Sequence, residues 1–254
     1  MIIKILYSHI AKICQGLKKI KSFLGKVHAG LFTKFNETNF KSIPIIICNF
    51  NRLKYLKLLI ESLQERGYTN LLILDNASTY PPLIEYYSKE CNIPICFLDK
   101  NYGHTALWDA GIINQFNKDY FVYSDPDLVF SDTCPDDILL FMLNVLKKHP
   151  SVDKIAASLI IDDIPDEYPL KEKVLKNERR FYNKTAFGCY VADVDTTFAL
   201  YTPHASAAYH DEDFTLRTPI PYQMRHLPWY QLEETEEDQY YKSHKIKEIG
   251  WWVN

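Results

Sequence analysis

Tyr120-Phe121-Val122-Tyr123-Ser124-Asp125-Pro126-Asp127 is the stretch whose reading decides the fold. Its first four residues are aromatic or β-branched and predict a short buried strand. Two carboxylates, Asp125 and Asp127, then emerge one residue apart at the C-terminal end of that strand. Pro126 disfavours the α region for Asp125, so the pair is expected in an extended turn rather than at the start of a helix. Ligands of open α/β sheets bind just outside the carboxyl ends of the strands. Two hard oxygen ligands at such an end suit Mg²⁺ or Mn²⁺ shared with a substrate diphosphate. An ordinary surface turn can also supply an Asp-x-Asp, so its meaning depends on what precedes it.

The upstream units repeat one pattern. Ile43-Pro44-Ile45-Ile46-Ile47-Cys48 is a continuous apolar run, as expected of a strand covered on both faces. It ends in Asn49-Phe50-Asn51-Arg52, where Asn51 is placed to cap a helix carrying Leu53, Leu56, Leu59, Ile60 and Leu63 on one face, stopped by Gly67. A second strand, Leu71-Leu72-Ile73-Leu74, ends in Asp75-Asn76-Ala77-Ser78-Thr79, and Pro81-Pro82 can start the next helix. A third, Ile93 to Leu98, leads into Asp99-Lys100-Asn101-Tyr102-Gly103-His104 and then a helix through Leu107, Ala110, Ile113 and Phe116. Strands alternating with helices imply right-handed crossovers and a mostly parallel sheet with helices on both faces. Four polar strand ends then share one edge, which is where a nucleotide would lie.

Ile45 to Arg52, Leu74 to Thr79, Asn101-Tyr102-Gly103 and Asp125-Pro126-Asp127 resemble, in this order, the motifs of family-2-like glycosyltransferases with the GT-A fold. The resemblance covers residues 43–130 and resumes in Asp195-Thr196-Thr197-Phe198-Ala199-Leu200-Tyr201 and Arg225-His226-Leu227-Pro228-Trp229-Tyr230. Those two segments are similar to a bacterial subgroup associated with surface polysaccharides. It implies that Asp75 contacts the nucleotide base and that Asn49, Asn51 and Arg52 line that pocket. Asn76, Asn101, Gly103 and Trp108 join them as donor-binding residues. Asp125 would face the ribose or the metal, Asp127 would hold the metal, and a late histidine, His226, would complete its shell. The chain departs from the family at Cys48-Asn49, where a Pro-Thr type pair is usual.

Composition agrees with an enzyme domain. The chain has 254 residues, 47% of them apolar, enough for one sizeable core. Its net charge of −3 argues against a nucleic-acid partner for the whole protein. Its 18 Tyr and 14 Phe supply rings that could stack on sugars, although most are expected in the core. The six cysteines (14, 48, 91, 96, 134 and 189) show neither a C-x-x-C pair nor zinc spacing and read as reduced thiols.

Charge is unevenly spread. Seven lysines (4, 12, 18, 19, 21, 26 and 34) precede the first acid, Glu37, so with a net charge of −3 the remainder carries about −10. In the same segment Ile3, Leu6, Ile10, Ile13, Leu17, Ile20, Leu24, Val27 and Leu31 recur at steps of three and four, an apolar helical stripe with lysines mostly off it. It is too short in uncharged residues to span a bilayer, and it lacks the apolar centre of a secretory signal. Residues 1–36 therefore read as a basic amphipathic helix lying on an anionic membrane surface. Packing on the catalytic domain or a partner chain, and a coiled coil, are the alternatives. Residues 36–42 read as a polar linker.

The second half is less legible. Pro135 to His149 reads as a helix starting from Asp132 or Thr133, Ile155 to Ile161 as a strand, and Phe187 to Tyr201 as one or two strands carrying acceptor-side residues. Arg225 is fork-shaped and suits diphosphate clamping, with a surface salt bridge as its alternative. His226 is followed by Leu-Pro-Trp, which stiffens its backbone. The acidic run Glu233 to Asp238 reads as a solvated helix face, anchored by Tyr240-Tyr241 and Trp251-Trp252. Two carboxylates compete as general base: Asp195 in its Asp-Thr-Thr-Phe segment and Asp213 in Asp211-Glu212-Asp213.

The expectation is a single GT-A α/β domain over 43–254, split into a nucleotide-sugar half (43–130) and an acceptor half with a C-terminal lid (131–254). It would move a sugar from a nucleotide diphosphate donor, UDP-linked by resemblance, to a glycan or lipid-linked acceptor, with Mn²⁺ or Mg²⁺ and inversion. Its implied place is cytoplasmic, peripheral on the inner face of the plasma membrane. A sugar nucleotidyltransferase would show a glycine-rich phosphate loop after the first strand, and none is present. An inactive glycan-binding module would keep aromatics and lose the Asp pair, and this chain keeps both.

Overall fold

The computed structural model describes residues 20, 23–194, 197–203, 205 and 214–245. Asp195, Asp213 with its neighbours Asp211 and Glu212, and Trp251-Trp252 lie outside the described residues. The run Ile45–Asn49 forms β1, and all five of its residues are buried. It pairs in parallel with β2 (Leu71–Asp75) on one side and with β4 (Phe121–Ser124) on the other. β3 (Ile95–Phe97) continues the parallel set from β2. The first two of these strands are followed by α2 (Lys54–Glu65) and α3 (Pro81–Lys89).

The alternation within β1 explains why a run without polar breaks was needed. Ile45 and Ile47 enter one hydrophobic cluster with Leu56, Leu59 and Leu63 of α2, while Ile46 enters a second with Leu74, Leu107, Phe121 and Tyr123. Successive side chains of a strand point to opposite faces, so both faces must be apolar. Full burial of a leucine such as Leu59 contributes about 1.5–3 kcal/mol, so a few such contacts fix the helix on the sheet.

Beyond β4 the sheet is mixed. β10 (Ala199–Tyr201) runs antiparallel to β4 and to β6 (Lys154–Ala156). β11 (Thr215–Arg217), β9 (Cys189–Val191) and β8 (Thr185–Ala186) complete nine strands in the order β3-β2-β1-β4-β10-β6-β11-β9-β8. A smaller sheet sets β12 (Gln223–His226) between β5 (Leu128–Phe130) and β7 (Ser158–Leu159). The parallel half is thus the part expected to take the nucleotide, and the remainder departs from parallel.

Several local expectations change. The helix expected through Phe116 is a single turn, α4 (Ala106–Asp109), because Gly111 takes a left-handed φ of 73° and a 3₁₀ turn follows. The stretch expected as one strand from Ile155 divides between the two sheets, as β6 and β7, on either side of Ala157. The helix after Pro135, α5, starts only at Ile138 and runs to Lys148. Gly67 at φ 76° follows the end of α2, and Pro81 opens α3, as expected. Residues 36–42 are not an open linker: Asn36 and Asn39 bond each other's turn, and Phe40–Ser42 is a 3₁₀ helix. Just before them, residues 23–32 form a helix, α1, that lies on the domain and leads to the buried Phe35.

Candidate active site

Parallel register brings the polar strand ends together. Asn49 aligns with Asp75, Asp75 with Phe97, and Ile47 with Ser124, so the turns after β1, β2, β3 and β4 meet on one edge. Asn49 and Asp75 are 0% and 1% exposed, which only internal hydrogen bonds make affordable. Tyr87 links them: Asn49 Nδ2 donates to its hydroxyl at 2.9 Å, and the hydroxyl donates to Asp75 Oδ2 at 2.9 Å. Burial, then the Asp75 charge, pushes the Tyr87 phenol well up, so it stays a donor. Asp75 Oδ1 accepts from the Ser78 amide at 2.8 Å and closes the turn after β2.

Asn51 does not cap α2. Its φ is 52°, and its side-chain Oδ1 accepts from the Thr79 and Tyr80 amides at 2.7 and 2.9 Å, tying the first turn to the second. Asparagine tolerates the left-handed region better than most residues, which suits it to this brace. Asn76 does the same one strand further on. It donates to Asn101 Oδ1 at 2.8 Å and to the Gly103 carbonyl at 2.9 Å, and its Oδ1 accepts from the Tyr102 amide. Asn76, Asn101 and Gly103 therefore form one unit. Trp108 packs on Tyr123 and Tyr201, with ring centroids 5.2 Å away in each case, and donates to the Ala205 carbonyl. Cys48, beneath the first turn, has its thiol pushed up to about 12 by burial and acts as a neutral filler.

The amides that begin α2 are taken from the far end of the chain. Glu237, in α7 (Glu236–His244), accepts from the Leu53 and Lys54 amides at 3.0 Å each. Its neighbour Asp238 pairs with Arg52 Nη1 at 2.5 Å, and the Arg52 guanidinium lies 4.0 Å from the Tyr241 ring centroid. Glu237 and Asp238 are 8% and 7% exposed. The acidic run is thus a solvated face only in part, because α7 turns these two acids inward. Thr235 and Asp238 close a capping box, whose T-x-x-D spacing was readable in the sequence. Tyr87 left a weaker signal, a polar-tipped aromatic four residues after buried Leu83 on an apolar helix face.

Of the three residues expected at a metal, two are brought together. His226 Nε2 lies 3.4 Å from Asp127 Oδ2, because antiparallel pairing of β12 with β5 sets His226 opposite Leu128. Burial would raise the Asp127 carboxyl, but His226 and then Arg52 outweigh it and hold it below the usual carboxylate range. Asp127 Oδ1 is buried and accepts no hydrogen bond within the protein, an arrangement that fits a cation. Asp125 follows the end of β4 and is half-buried. Among the described residues, no group of three or more His, Cys, Asp or Glu side chains is gathered as a complete metal shell. Mg²⁺-type sites commonly use one or two protein ligands plus phosphate oxygens, so Asp127 and His226 are a sufficient start. Arg225 is not brought to this pair. Side chains alternate along β12, and the Arg225 guanidinium is held by Asp163 at 2.8 Å and Asp132 at 3.4 Å.

Residues 45–202 match the model of glycosyl transferase family 2, and the chain belongs to that family. Among solved structures it is similar to S. aureus TarS 1–349, at 13% identity and a TM-score of 0.44 over 72% of this chain and 59% of that one. It is also similar to GalNAc-T7 with UDP, GalNAc and Mn²⁺, at 12% identity and a TM-score of 0.47, over 72% of this chain and 43% of that one. A third is glucosyl-3-phosphoglycerate synthase from Mycobacterium tuberculosis with Mn²⁺ and UDP-glucose, at 11% identity, a TM-score of 0.41 and 68% and 62% coverage. The chain spans about three fifths of the length of the TarS fragment. No curated protein matches it.

The Asp238 carboxyl would be raised by burial, but hydrogen bonds from Thr235 and Arg52 bring it below the usual value of 3.8. A depressed carboxylate stabilises the fold above its unfolded pKa, and that contribution is lost as pH falls through the folded value. Asp238→Asn should therefore cost about 1–3 kcal/mol at pH 7. The gap from wild type should close as pH drops below about 4. Thermal melts between pH 2 and 7 check this; parallel curves at every pH would contradict it.

Proposed function

We propose that this protein is a metal-dependent glycosyltransferase that moves a sugar from a nucleotide diphosphate donor, a UDP-sugar, to a glycan or lipid-linked acceptor. The observation that carries the reading is the Asp127–His226 pair, set at the edge where four strand-end turns converge, in a chain whose residues 45–202 match the family model. The turns after β1 and β2 are proposed to receive the base, with Asn49, Asp75 and Tyr87, buried and bonded to one another, holding those turns in shape. Asp127 Oδ1, buried with no internal hydrogen bond, and His226 are proposed to hold Mn²⁺ or Mg²⁺, with Asp125 toward the ribose or the ion. When bound, such a cation neutralises charge developing on the leaving diphosphate. Arg52 adds fixed positive charge on the same side, since its field already acts on Asp127. The acceptor hydroxyl loses its proton to a carboxylate, and a single displacement inverts the anomeric centre. Arg225 keeps a diphosphate role only if a donor draws it from Asp163 and Asp132.

Asp127→Ala should reduce transfer at least about 100-fold while leaving the melting temperature within a few degrees, and chelation should do the same to the wild type. The assay is a panel of nucleotide-sugars with Mn²⁺. An unchanged rate in the variant or in chelator would overturn metal dependence, and no turnover or donor hydrolysis with any nucleotide-sugar would overturn the activity.

The base is assigned to Asp195 in preference to Asp213, because Asp195 lies in the segment that precedes β10. Under saturating donor, Asp195→Asn should lower the rate about 10²–10⁴-fold and Asp213→Asn should leave it nearly unchanged. Donor binding should survive in both variants. The opposite pattern would transfer the role to Asp213.

A further inference from the structure

The helix over residues 23–32 carries two rows of side chains set two positions out of phase. Lys26, Ala29 and Thr33 form the first row and face the domain. Lys26 and Ala29 are 8% and 6% exposed, Lys26 pairs with Asp153, and Thr33 Oγ1 donates to Asp119 at 2.6 Å. Leu24, Val27 and Leu31 form the second, extended backward to Ile20 and flanked by Phe23 and Phe32. Two residues are a little over half of a 3.6-residue turn, so the rows lie on opposite sides of the helix.

The apolar row is therefore the one turned away from the protein. Leu31 and Phe32 are 73% and 72% exposed, Leu24 and Ile20 59% and 58%, and Phe23 47%. A helix that belongs only to its own domain does the reverse and buries its apolar stripe. These five residues are half of the ten large hydrophobic side chains exposed among the described residues, so the patch is concentrated.

Charge selects what covers it. Seven lysines and no acid precede Glu37, and with Lys26 committed to Asp153 six remain to give the segment its positive charge, while the rest of the chain carries about −10 of the net −3. A second copy of the segment would bring like net charge against like. An anionic lipid surface would be attracted to it, at about 1 kcal/mol for each lysine near the headgroups. No helix among the described residues is long and apolar enough to cross a membrane, so the helix would lie in the surface plane.

We infer that the outward row of Leu24, Val27 and Leu31, with Ile20, Phe23 and Phe32, is a docking surface for an anionic lipid bilayer, with the domain carried by the Lys26–Asp153 and Thr33–Asp119 contacts on the helix's other side. Asp119, which holds Thr33, precedes β4 and Asp125 follows it, so the helix's anchor and the site stand at opposite ends of that strand, about 20 Å of chain apart. Attachment by this helix leaves the strand-end edge uncovered. The inference deepens the membrane-associated acceptor reading and rests on it only for where the acceptor lies.

The test is co-sedimentation of the full chain with vesicles of phosphatidylglycerol and phosphatidylcholine, or of phosphatidylcholine alone. Binding should need the anionic lipid and should fall at least about tenfold between roughly 0.1 and 0.5 M salt. The triple variant Leu24→Gln, Leu31→Gln, Phe32→Gln should bind at least about tenfold more weakly, with unchanged melting and unchanged transfer to a soluble acceptor. Equal binding by the variant, or none by the wild type, would overturn the inference. Loss of a dimer in the variant, seen by sedimentation, would reassign the row to a second copy. Vesicle binding needs no turnover, so failure of the transferase reading would show separately, as a wild type that binds lipid and transfers nothing.

Discussion

The parallel pairing of β1 between β2 and β4 is the constraint on which everything else in the molecule rests. It forces β1 to be apolar on both faces, which Ile45, Ile46 and Ile47 satisfy by dividing between two cores. The same pairing puts the end of each strand at one edge, since parallel neighbours finish on the same side. Residues that are 26 and 50 positions apart in the chain, Asn49, Asp75 and the carboxylates after β4, become neighbours for that reason alone. A one-residue slip of β1 against β2 would turn Asn49 away from Asp75 and exchange the two apolar faces.

Holding that edge open is a separate problem, which the chain solves with side-chain braces. A turn of left-handed or extended backbone exposes amides that helices and strands would otherwise use. Asn51 and Asn76 each take amides from a neighbouring turn, Asp75 takes one from its own, and Glu237 takes two from the start of α2. The carboxylates would repel one another without cations nearby. Arg52 supplies compensation, and it is itself fixed by Asp238 and the Tyr241 ring. The C-terminal helix is thus part of the site's electrostatics and not merely a cover.

What was legible in the sequence was what depends on periodicity and local chemistry. The apolar runs of β1 and β2, the stop at Gly67, the start at Pro81, and the Asp-x-Asp after β4 all carry local signals. Gly111 is also local, yet its break in the helix after Gly103 was hidden because Ala110 and Ile113 kept the apolar spacing. Long-range pairings left no such trace. Nothing in Glu237 or Asp238 announces Arg52 or the Leu53 amide, which lies 184 positions before Glu237, and Asp163 beside Arg225 is equally silent. The N-terminal stripe was readable as amphipathic. That its apolar row would face outward could be known only from which residues, Lys26 and Ala29, the domain buries.

In the proposed function this edge binds a nucleotide diphosphate through a cation held by Asp127 and His226. Calorimetric titration of UDP, with and without Mn²⁺, into wild type and His226→Ala tests it without needing the sugar or the acceptor. Mn²⁺ should tighten UDP binding at least about tenfold in the wild type, roughly 1.4 kcal/mol, and His226→Ala should lose most of that gain while still binding UDP weakly. UDP binding of equal strength with and without Mn²⁺, or no UDP binding at all, would contradict it.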